Sequence, residues 1–178
     1  MNVAGALEAV SLLVITGTMG AGKSAVLAEA SDLLAVRQVE HAAIDVDALA
    51  LAYITSQKSD DLMYANLEGI CRNYAQLGVR RFLLAGAVED RPELERCRLA
   101  TSATAIVVCR LTGDIATLRQ RVMARETGIR QGDYVARVER LNAILDGANL
   151  EHFRISNQDR PVTDVAHELL VRAGWLSG

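Results

Sequence analysis

Hydrophobic residues in this chain form short continuous runs that alternate with stretches in which they recur every three or four positions. The runs predict strands buried on both faces, and the other stretches predict amphipathic helices. The predicted strands cover residues 12–16, 41–46, 82–88, 104–111 and 153–156. The predicted helices cover residues 25–36, 60–77, 115–126 and 134–145, and a last helix begins near Pro161. This alternation predicts one three-layer α/β domain over residues 1–178, with a parallel sheet and right-handed crossovers.

Composition narrows the classes of protein that the pattern allows. The chain has 178 residues, of which 51% are hydrophobic and 23% charged, and this excludes a disordered, collagen-like or disulfide-stapled chain. A net charge of -3 offers no broad positive field, so we expect no nucleic-acid partner. No apolar run approaches the roughly 18 residues of a membrane helix, and we expect no membrane partner.

The cysteines and histidines favour a reducing compartment without a structural zinc site. The three cysteines have no C-x-x-C spacing and the three histidines are scattered along the chain. The first fifteen residues carry no Lys or Arg ahead of their apolar stretch, so they do not have the pattern of a secretory leader. We therefore expect a cytoplasmic protein.

A glycine-rich loop joins the first predicted strand to the first predicted helix. It matches the pattern G-x-x-x-x-G-K-[ST] in the required context with the residues Gly17, Thr18, Met19, Gly20, Ala21, Gly22, Lys23 and Ser24. Glycines let backbone amides point inward around a phosphate, and the following helix, which starts near Ala25, adds partial positive charge. We expect Lys23 to bridge the β- and γ-phosphates and Ser24 to offer its hydroxyl to Mg²⁺. The alternative is a tight turn in which Ser24 only starts a helix.

Two aspartates follow the second predicted strand. In an extended strand, Asp45 and Asp47 would project on the same side at the carboxyl edge of the sheet, where open α/β proteins bind ligands. One carboxylate can support a Mg²⁺ shell, and the other can orient or deprotonate an acceptor hydroxyl. The alternative is that Asp47 caps a helix and Asp45 ends a strand in solvent, and the residues alone do not assign the two roles.

Two arginines are spaced to act together near the end of a predicted helix. Arg121 and Arg125 are four residues apart and precede a glycine-bearing segment, residues 127–132, that suits a mobile lid. The alternative is a charged helix face shared with Glu126.

The absence of other signature patterns separates classes of nucleotide-binding protein. A guanine-specific switch would carry Asn-Lys-x-Asp or Thr-Lys-x-Asp, but Gly22 precedes Lys23 and Gln57 precedes Lys58. A motor or transporter ATPase would need a longer core. Small-molecule kinases remain, and the polar segment 51–61 is the expected acceptor-binding segment.

Most of the chain, residues 12–175, resembles the compact P-loop kinases related to shikimate, gluconate, adenylylsulfate and nucleoside monophosphate kinases. The resemblance rests on the glycine-rich loop and on residues 44–47, 118–126 and 157–161. It implies a five-stranded parallel sheet in the order 2-3-1-4-5 and a lid at about residues 121–133. It also implies ATP- and Mg²⁺-dependent transfer of the γ-phosphoryl group to a hydroxyl or phosphate of a small-molecule acceptor. A regulatory nucleotide-binding module or slow ATPase without an acceptor is the second hypothesis.

The resemblance also implies roles for particular residues. Asp45 would support the metal together with Ser24, and Asp47 would contact or deprotonate the acceptor. The lid arginines, Arg121 and Arg125, would close over the phosphates of the nucleoside triphosphate. The segment with Asn157 and Arg160 would lie beside the adenine ring, although Arg160 can equally be a polar entry to the last helix. The fuller lid patterns of gluconate and shikimate kinases are absent, so the resemblance does not identify the acceptor.

Overall fold

A central parallel sheet lies between two layers of helices in the computed structural model, which describes residues 9–52 and 59–177. Within these residues the strands are β1 Ser11–Thr16, β2 Ala42–Asp45, β3 Arg81–Ala85, β4 Ala105–Thr112 and β5 Phe153–Ser156. The helices are α1 Lys23–Val36, α2 Val46–Leu49, α3 Ser59–Gln76, α4 Arg91–Thr101, α5 Ile115–Arg125, α6 Gln131–Ala148 and α7 Val162–Arg172. The alternation of strands and helices predicted from the hydrophobic pattern is confirmed.

The strands of the sheet lie in the order β2-β3-β1-β4-β5, and every neighbouring pair is parallel. This order confirms the expectation drawn from the resemblance. Strand β1 pairs with β3 on one side and β4 on the other, with Leu13 opposite both Leu83 and Val107. The chain reverses its direction of travel across the sheet at β1, so the carboxyl end of this strand opens into the crevice where such folds bind ligands.

Each face of the sheet packs against its own helices. Leu13 and Ile15 of β1 are fully buried in a core with α1, α5, α6 and α7. Leu12 and Val14 point to the opposite core, which α3 and α4 cover. Because successive strand residues point to opposite faces, a strand covered on both sides must be apolar at every position. This is the physical reason for the continuous hydrophobic runs.

Helix α4 was missed by the sequence analysis, which left residues 91–101 without an element. Asp90 caps this helix by accepting a 2.8 Å hydrogen bond from the amide of Glu93, and the Glu93 side chain accepts a 2.7 Å bond from the amide of Glu89. Pro92 lies in the first turn. An acidic cap, an early proline and a glutamate three residues after the cap are a helix-start signal in the sequence. The low hydrophobicity of the segment concealed it.

The cysteines belong to the two cores. Cys71, Cys97 and Cys109 are free and buried. Burial raises the pKa of Cys109 to about 12 and that of Cys97 to about 11, because the thiolate is poorly solvated in the core. These thiols therefore stay protonated at neutral pH and contribute to packing.

Residues 9–52 and 59–177 contain neither a membrane-spanning helix nor a dense group of metal-binding side chains. None of the helices there combines the length and apolar character needed to cross a membrane. The same residues hold no cluster of three or more His, Cys, Asp or Glu side chains suited to a metal ion.

Candidate functional site

The glycine-rich loop, residues 17–24, connects the carboxyl end of β1 to the first turn of α1. Gly22 precedes α1 with a φ of 86°, a value that residues with a side chain rarely adopt. A Cβ atom at Gly22 would lie 2.4 Å from Nδ2 of Asn157. Both the backbone conformation and the neighbouring side chain therefore require glycine at this position.

Two side-chain hydrogen bonds connect this loop to distant parts of the chain. Nδ2 of Asn157, in the segment after β5, donates a 2.8 Å hydrogen bond to the carbonyl of Ala21. Oγ1 of Thr18 donates a 2.8 Å hydrogen bond to the carbonyl of Val138 in α6. Thr18 is 1% exposed and Val138 is fully buried, so the second bond is shielded from water. The loop is consequently fixed to the last third of the chain at two points.

The ammonium group of Lys23 lies across the loop. Its Nζ donates hydrogen bonds to the carbonyls of Gly17 at 3.0 Å and Thr18 at 3.4 Å. Burial lowers the pKa of Lys23, the carboxylates of Asp47 and Asp45 oppose this effect, and Arg125 and Arg137 lower the pKa further. Within the described ranges, no carboxylate is within ion-pair distance of Lys23. An anion bound at the loop would therefore compensate a cation that the protein leaves under-solvated.

Ser24 and Asp45 place two side-chain oxygens next to each other beside the loop. Oγ of Ser24 donates a 2.5 Å hydrogen bond to Oδ2 of Asp45, while Oδ1 of Asp45 accepts a 3.1 Å bond from the amide of Asp47. Asp45 therefore caps α2 with one oxygen and contacts Ser24 with the other. A hydroxyl and a carboxylate at hydrogen-bond distance fit a hard cation such as Mg²⁺, which prefers a few protein oxygens and keeps several waters.

The strand-based explanation for the aspartate pair was wrong. Strand β2 ends at Asp45, and Asp47 lies in the helical turn α2, so the two side chains do not follow strand alternation. Asp47 is exposed and is not the helix cap, because Asp45 has that role. Its charge is nevertheless the largest electrostatic effect that raises the pKa of Lys23. The tertiary structure thus keeps Asp47 close enough to Lys23 for the two charges to interact.

A glycine at the end of β3 allows α2 to approach the sheet closely. A Cβ atom at Gly86 would lie 3.3 Å from Cβ of Val46 and 4.0 Å from Oδ1 of Asp47. The small cavity around Asp47, Tyr64 and Gly86 has a volume of about 40 Å³. This is too small for an organic acceptor, since ligand pockets usually measure about 300–1,000 Å³. Most of the expected acceptor segment, residues 51–61, lies outside the described residues.

The two predicted lid arginines have different surroundings. Nη2 of Arg121 donates a 2.9 Å hydrogen bond to the carbonyl of Asn157, so Arg121 contacts the segment that holds the loop. Arg125 is mostly exposed and pairs with Glu126 at 2.8 Å, and its charge acts on Lys23. Both belong to α5, and only residues 126–130 separate α5 from α6. The predicted lid at residues 121–133 therefore contains more helix than its glycines indicated.

Asn157 and Arg160, which are expected beside an adenine ring, make contacts with other residues of the protein. Asn157 is 9% exposed and contacts Ala21. Arg160 pairs with Glu168 at 2.8 Å and donates a 3.3 Å hydrogen bond to the carbonyl of Ser156. Their predicted contact with adenine stays a prediction.

Sequence reasoning missed Arg137, which lies in α6 beside Val138. Its Nη2 is 2.8 Å from Oε1 of Glu89. The charge of Arg137 lowers the pKa of Lys23, so the two cations are close enough to interact. No local pattern identifies Arg137, because tertiary contacts such as its pair with Glu89 and the bond between Thr18 and Val138 bring it to the site.

Neither the family models nor the curated proteins contain a match to this chain. Solved structures match it over nearly the full length. A shikimate kinase from Acinetobacter baumannii, in complex with shikimate, has a TM-score of 0.60 at 17% identity and covers 93% of both chains. A gluconokinase from Sinorhizobium meliloti 1021 has a TM-score of 0.60 at 16% identity, with 92% of this chain and 91% of that chain covered.

The chain has the P-loop small-molecule kinase fold. The Mycobacterium tuberculosis APS kinase, solved with AMPPNP and APS, also has this fold, with a TM-score of 0.55 at 14% identity and 91% and 96% of the two chains covered. In this kinase fold, the glycine-rich loop lies at the centre of the sheet because β1 is the central strand. The predicted fold class is confirmed.

Proposed function

We propose that this protein is a cytoplasmic kinase that transfers the γ-phosphoryl group of ATP to a hydroxyl or phosphate of a small-molecule acceptor in the presence of Mg²⁺. The observation that supports this most strongly is the arrangement of Lys23 against Ser24 and Asp45. A desolvated ammonium with no ion-pair partner among the described residues lies next to a hydroxyl–carboxylate pair at the carboxyl end of β1. An anionic phosphate chain with an oxygen-bound cation satisfies both groups at once.

The backbone of the loop would hold the phosphates. Gly22 has no side chain to cap α1, so the first amides of this helix are available to an anion, and the helix dipole favours negative charge there. The expected contacts are the loop residues with Ala25, and Lys23 bridges the terminal phosphates. The hydrogen bonds of Asn157 to Ala21 and of Thr18 to Val138 hold the loop in place.

Ser24 and Asp45 would hold the magnesium ion. When bound, Mg²⁺ neutralises charge on the phosphate oxygens during transfer. Asp45 keeps its second oxygen on the amide of Asp47, so α2 fixes the orientation of the carboxylate.

Asp47 would act on the acceptor. Its carboxylate orients the acceptor hydroxyl and takes its proton, the acceptor oxygen forms a bond to the γ-phosphorus, and the bond from that phosphorus to ADP breaks. Arg125, whose charge reaches Lys23, stabilises the charge on the transferred group, and Arg121 supports it from the adjacent turn of α5.

Calorimetry followed by an acceptor screen tests the proposal. Wild-type protein is titrated with a nonhydrolysable ATP analogue and Mg²⁺, and metabolites and antibiotics are then screened by thermal shift, since a bound acceptor raises the melting temperature. Slow ATP hydrolysis that accelerates when an acceptor is added supports a kinase. Nucleotide binding with fast acceptor-independent hydrolysis contradicts it and favours the regulatory or ATPase hypothesis.

A further inference from the structure

A cleft of about 460 Å³ lies along α6, and we call it the α6 cleft. Its volume is within the usual range for pockets that bind small molecules. Its walls combine charged groups with an apolar strip formed by Leu141 and Ile144, and the charged residues are Glu89, Asp133, Arg137 and Arg140. A cleft with this size and composition can accommodate a small, polar organic molecule.

The α6 cleft is structurally connected to the glycine-rich loop. Arg137 lines the cleft, and its charge lowers the pKa of Lys23. The next residue, Val138, accepts the buried hydrogen bond from Thr18. A molecule in the cleft would therefore be adjacent to the part of the site that is expected to hold the terminal phosphate.

The charged residues of the cleft are two acidic and two basic, but they do not all pair with one another. Glu89 pairs with Arg137 at 2.8 Å, and Asp133 pairs more weakly with Arg130 at 3.6 Å. Across residues 9–52 and 59–177, Arg140 has neither an ion pair nor a hydrogen bond from its side chain. Arg137 and Arg140 are three residues apart and so share one side of the helix. Among the described residues, the cleft therefore presents one guanidinium, that of Arg140, with no direct partner in the protein.

We propose that the α6 cleft binds the acceptor of the kinase reaction, and that Arg140 recognises a carboxylate or phosphate group of this acceptor. That the ligand is an acceptor rests on the proposed function. A guanidinium offers a planar set of donors that matches either anion in a bidentate manner. Leu141 and Ile144 contact the carbon skeleton, while the pair of Glu89 and Arg137 lies on the side of the loop. The acceptor is thus an anionic hydroxyl compound and not a neutral one.

Anion titrations followed by NMR test this proposal directly. The Nε–Hε signals of the arginine side chains are recorded for protein loaded with Mg²⁺ and AMPPNP, and inorganic phosphate or acetate is added in separate arms. We expect a saturable shift of the Arg140 signal, and the arm with the tighter binding identifies the anion. Followed through the signal of Arg137, which lines the same cleft, Arg140→Gln should weaken this binding by about tenfold or more, because a charge-assisted hydrogen bond is lost. Arg119→Gln is the matched control. Arg119 lies in α5, pairs with Glu139 of α6 at 2.8 Å, and does not line the cleft.

Two results would overturn the proposal. One is an Arg140 signal that moves with neither anion, and the other is a shift that is linear and equal to that of Arg119, which indicates general ionic strength. The same titration without nucleotide tests the anion site separately from the proposed kinase function. If wild-type protein does not bind AMPPNP, the proposed function is wrong, whereas the response of Arg140 to anions still decides whether the cleft is an anion site.

Discussion

Thr18 and Val138 are 120 residues apart in the chain, yet a 2.8 Å hydrogen bond joins the hydroxyl of one to the backbone carbonyl of the other. Thr18 occupies the second position of the glycine-rich loop, and Val138 lies in the middle of α6. The bond therefore sets the position of α6, and with it Arg137, relative to Lys23.

Thr18→Val should destabilise the protein and loosen the loop. The variant keeps the shape of the side chain but removes the buried donor, and such a loss costs about 1–3 kcal/mol. Urea unfolding should show this decrease, and calorimetry should show weaker binding of AMPPNP. Thr18→Ser retains the hydroxyl and should stay close to wild type. Equal stability of the valine, serine and wild-type proteins would show that the bond contributes nothing.

Lys23→Met should change how stability depends on pH. Burial lowers the pKa of Lys23 below 10.5, so between the lowered value and 10.5 the unfolded chain binds more protons than the folded protein. The free energy of unfolding of wild type should therefore rise with pH across that window relative to the variant. Urea unfolding from neutral pH to 10.5 measures the difference.

The same variant should bind nucleotide poorly, because it lacks the cation that we propose contacts the phosphates. A loss of about tenfold or more in AMPPNP affinity is expected for a charged hydrogen bond. Parallel pH profiles for the two proteins would contradict the assigned pKa direction, and unchanged affinity would contradict the phosphate contact.

Asp45→Asn should raise the Mg²⁺ concentration needed for nucleotide binding. Asparagine is as good a helix cap as aspartate, so α2 should persist while the carboxylate charge beside Ser24 is lost. Calorimetric titrations of AMPPNP at several Mg²⁺ concentrations measure the shift. Asp114→Asn is the control, because Asp114 caps α5 through Thr117 and does not contact Ser24. The same Mg²⁺ dependence in both variants would exclude Asp45 as a metal ligand.

Asp47→Ala should abolish turnover and leave nucleotide affinity nearly intact. Asp45 is the cap of α2, so alanine at position 47 removes no capping bond. Loss of a general base lowers the rate by about a hundredfold or more. Steady-state assays with an acceptor from the thermal-shift screen measure this loss, with Asp32→Ala on the exposed side of α1 as the control. Full activity of Asp47→Ala would remove it from the catalytic set.

The effect of Gly22→Ala on the free energy of unfolding should depend on the residue at position 157. The added Cβ would meet Nδ2 of Asn157 at 2.4 Å, in a backbone conformation with a φ of 86° that alanine adopts poorly. In the background Asn157→Ala the steric conflict is absent and only the backbone strain persists. A double-mutant cycle of unfolding free energies should give a coupling of about 0.5–3 kcal/mol, in the range for residues in contact. Additive effects would show that the loop relaxes away from Asn157.

The loop and the buried strands could be predicted because their signals are local. The run that forms β1 and the eight residues that follow it carry their pattern in consecutive positions. Helix α4 was equally local, since Asp90 and Glu93 mark its start, but its polar composition hid the periodicity. The prediction that Asp47 lies in a strand failed for a different reason. The four-residue strand β2 ends at Asp45 because the side chain of Asp45 caps the helical turn α2, which follows directly.

The amino-acid sequence determined the alternation of elements, the glycine-rich loop and the residue types that can hold a phosphate and a cation, because each depends on neighbours a few positions apart. The tertiary structure decided that Ser24 forms a hydrogen bond with Asp45 and that Thr18 connects the loop to α6. It also decided that Arg137 and Arg140 line the α6 cleft. Contacts between residues from different elements arise only after the sheet is assembled and the helices pack on it. No periodicity along the chain records them.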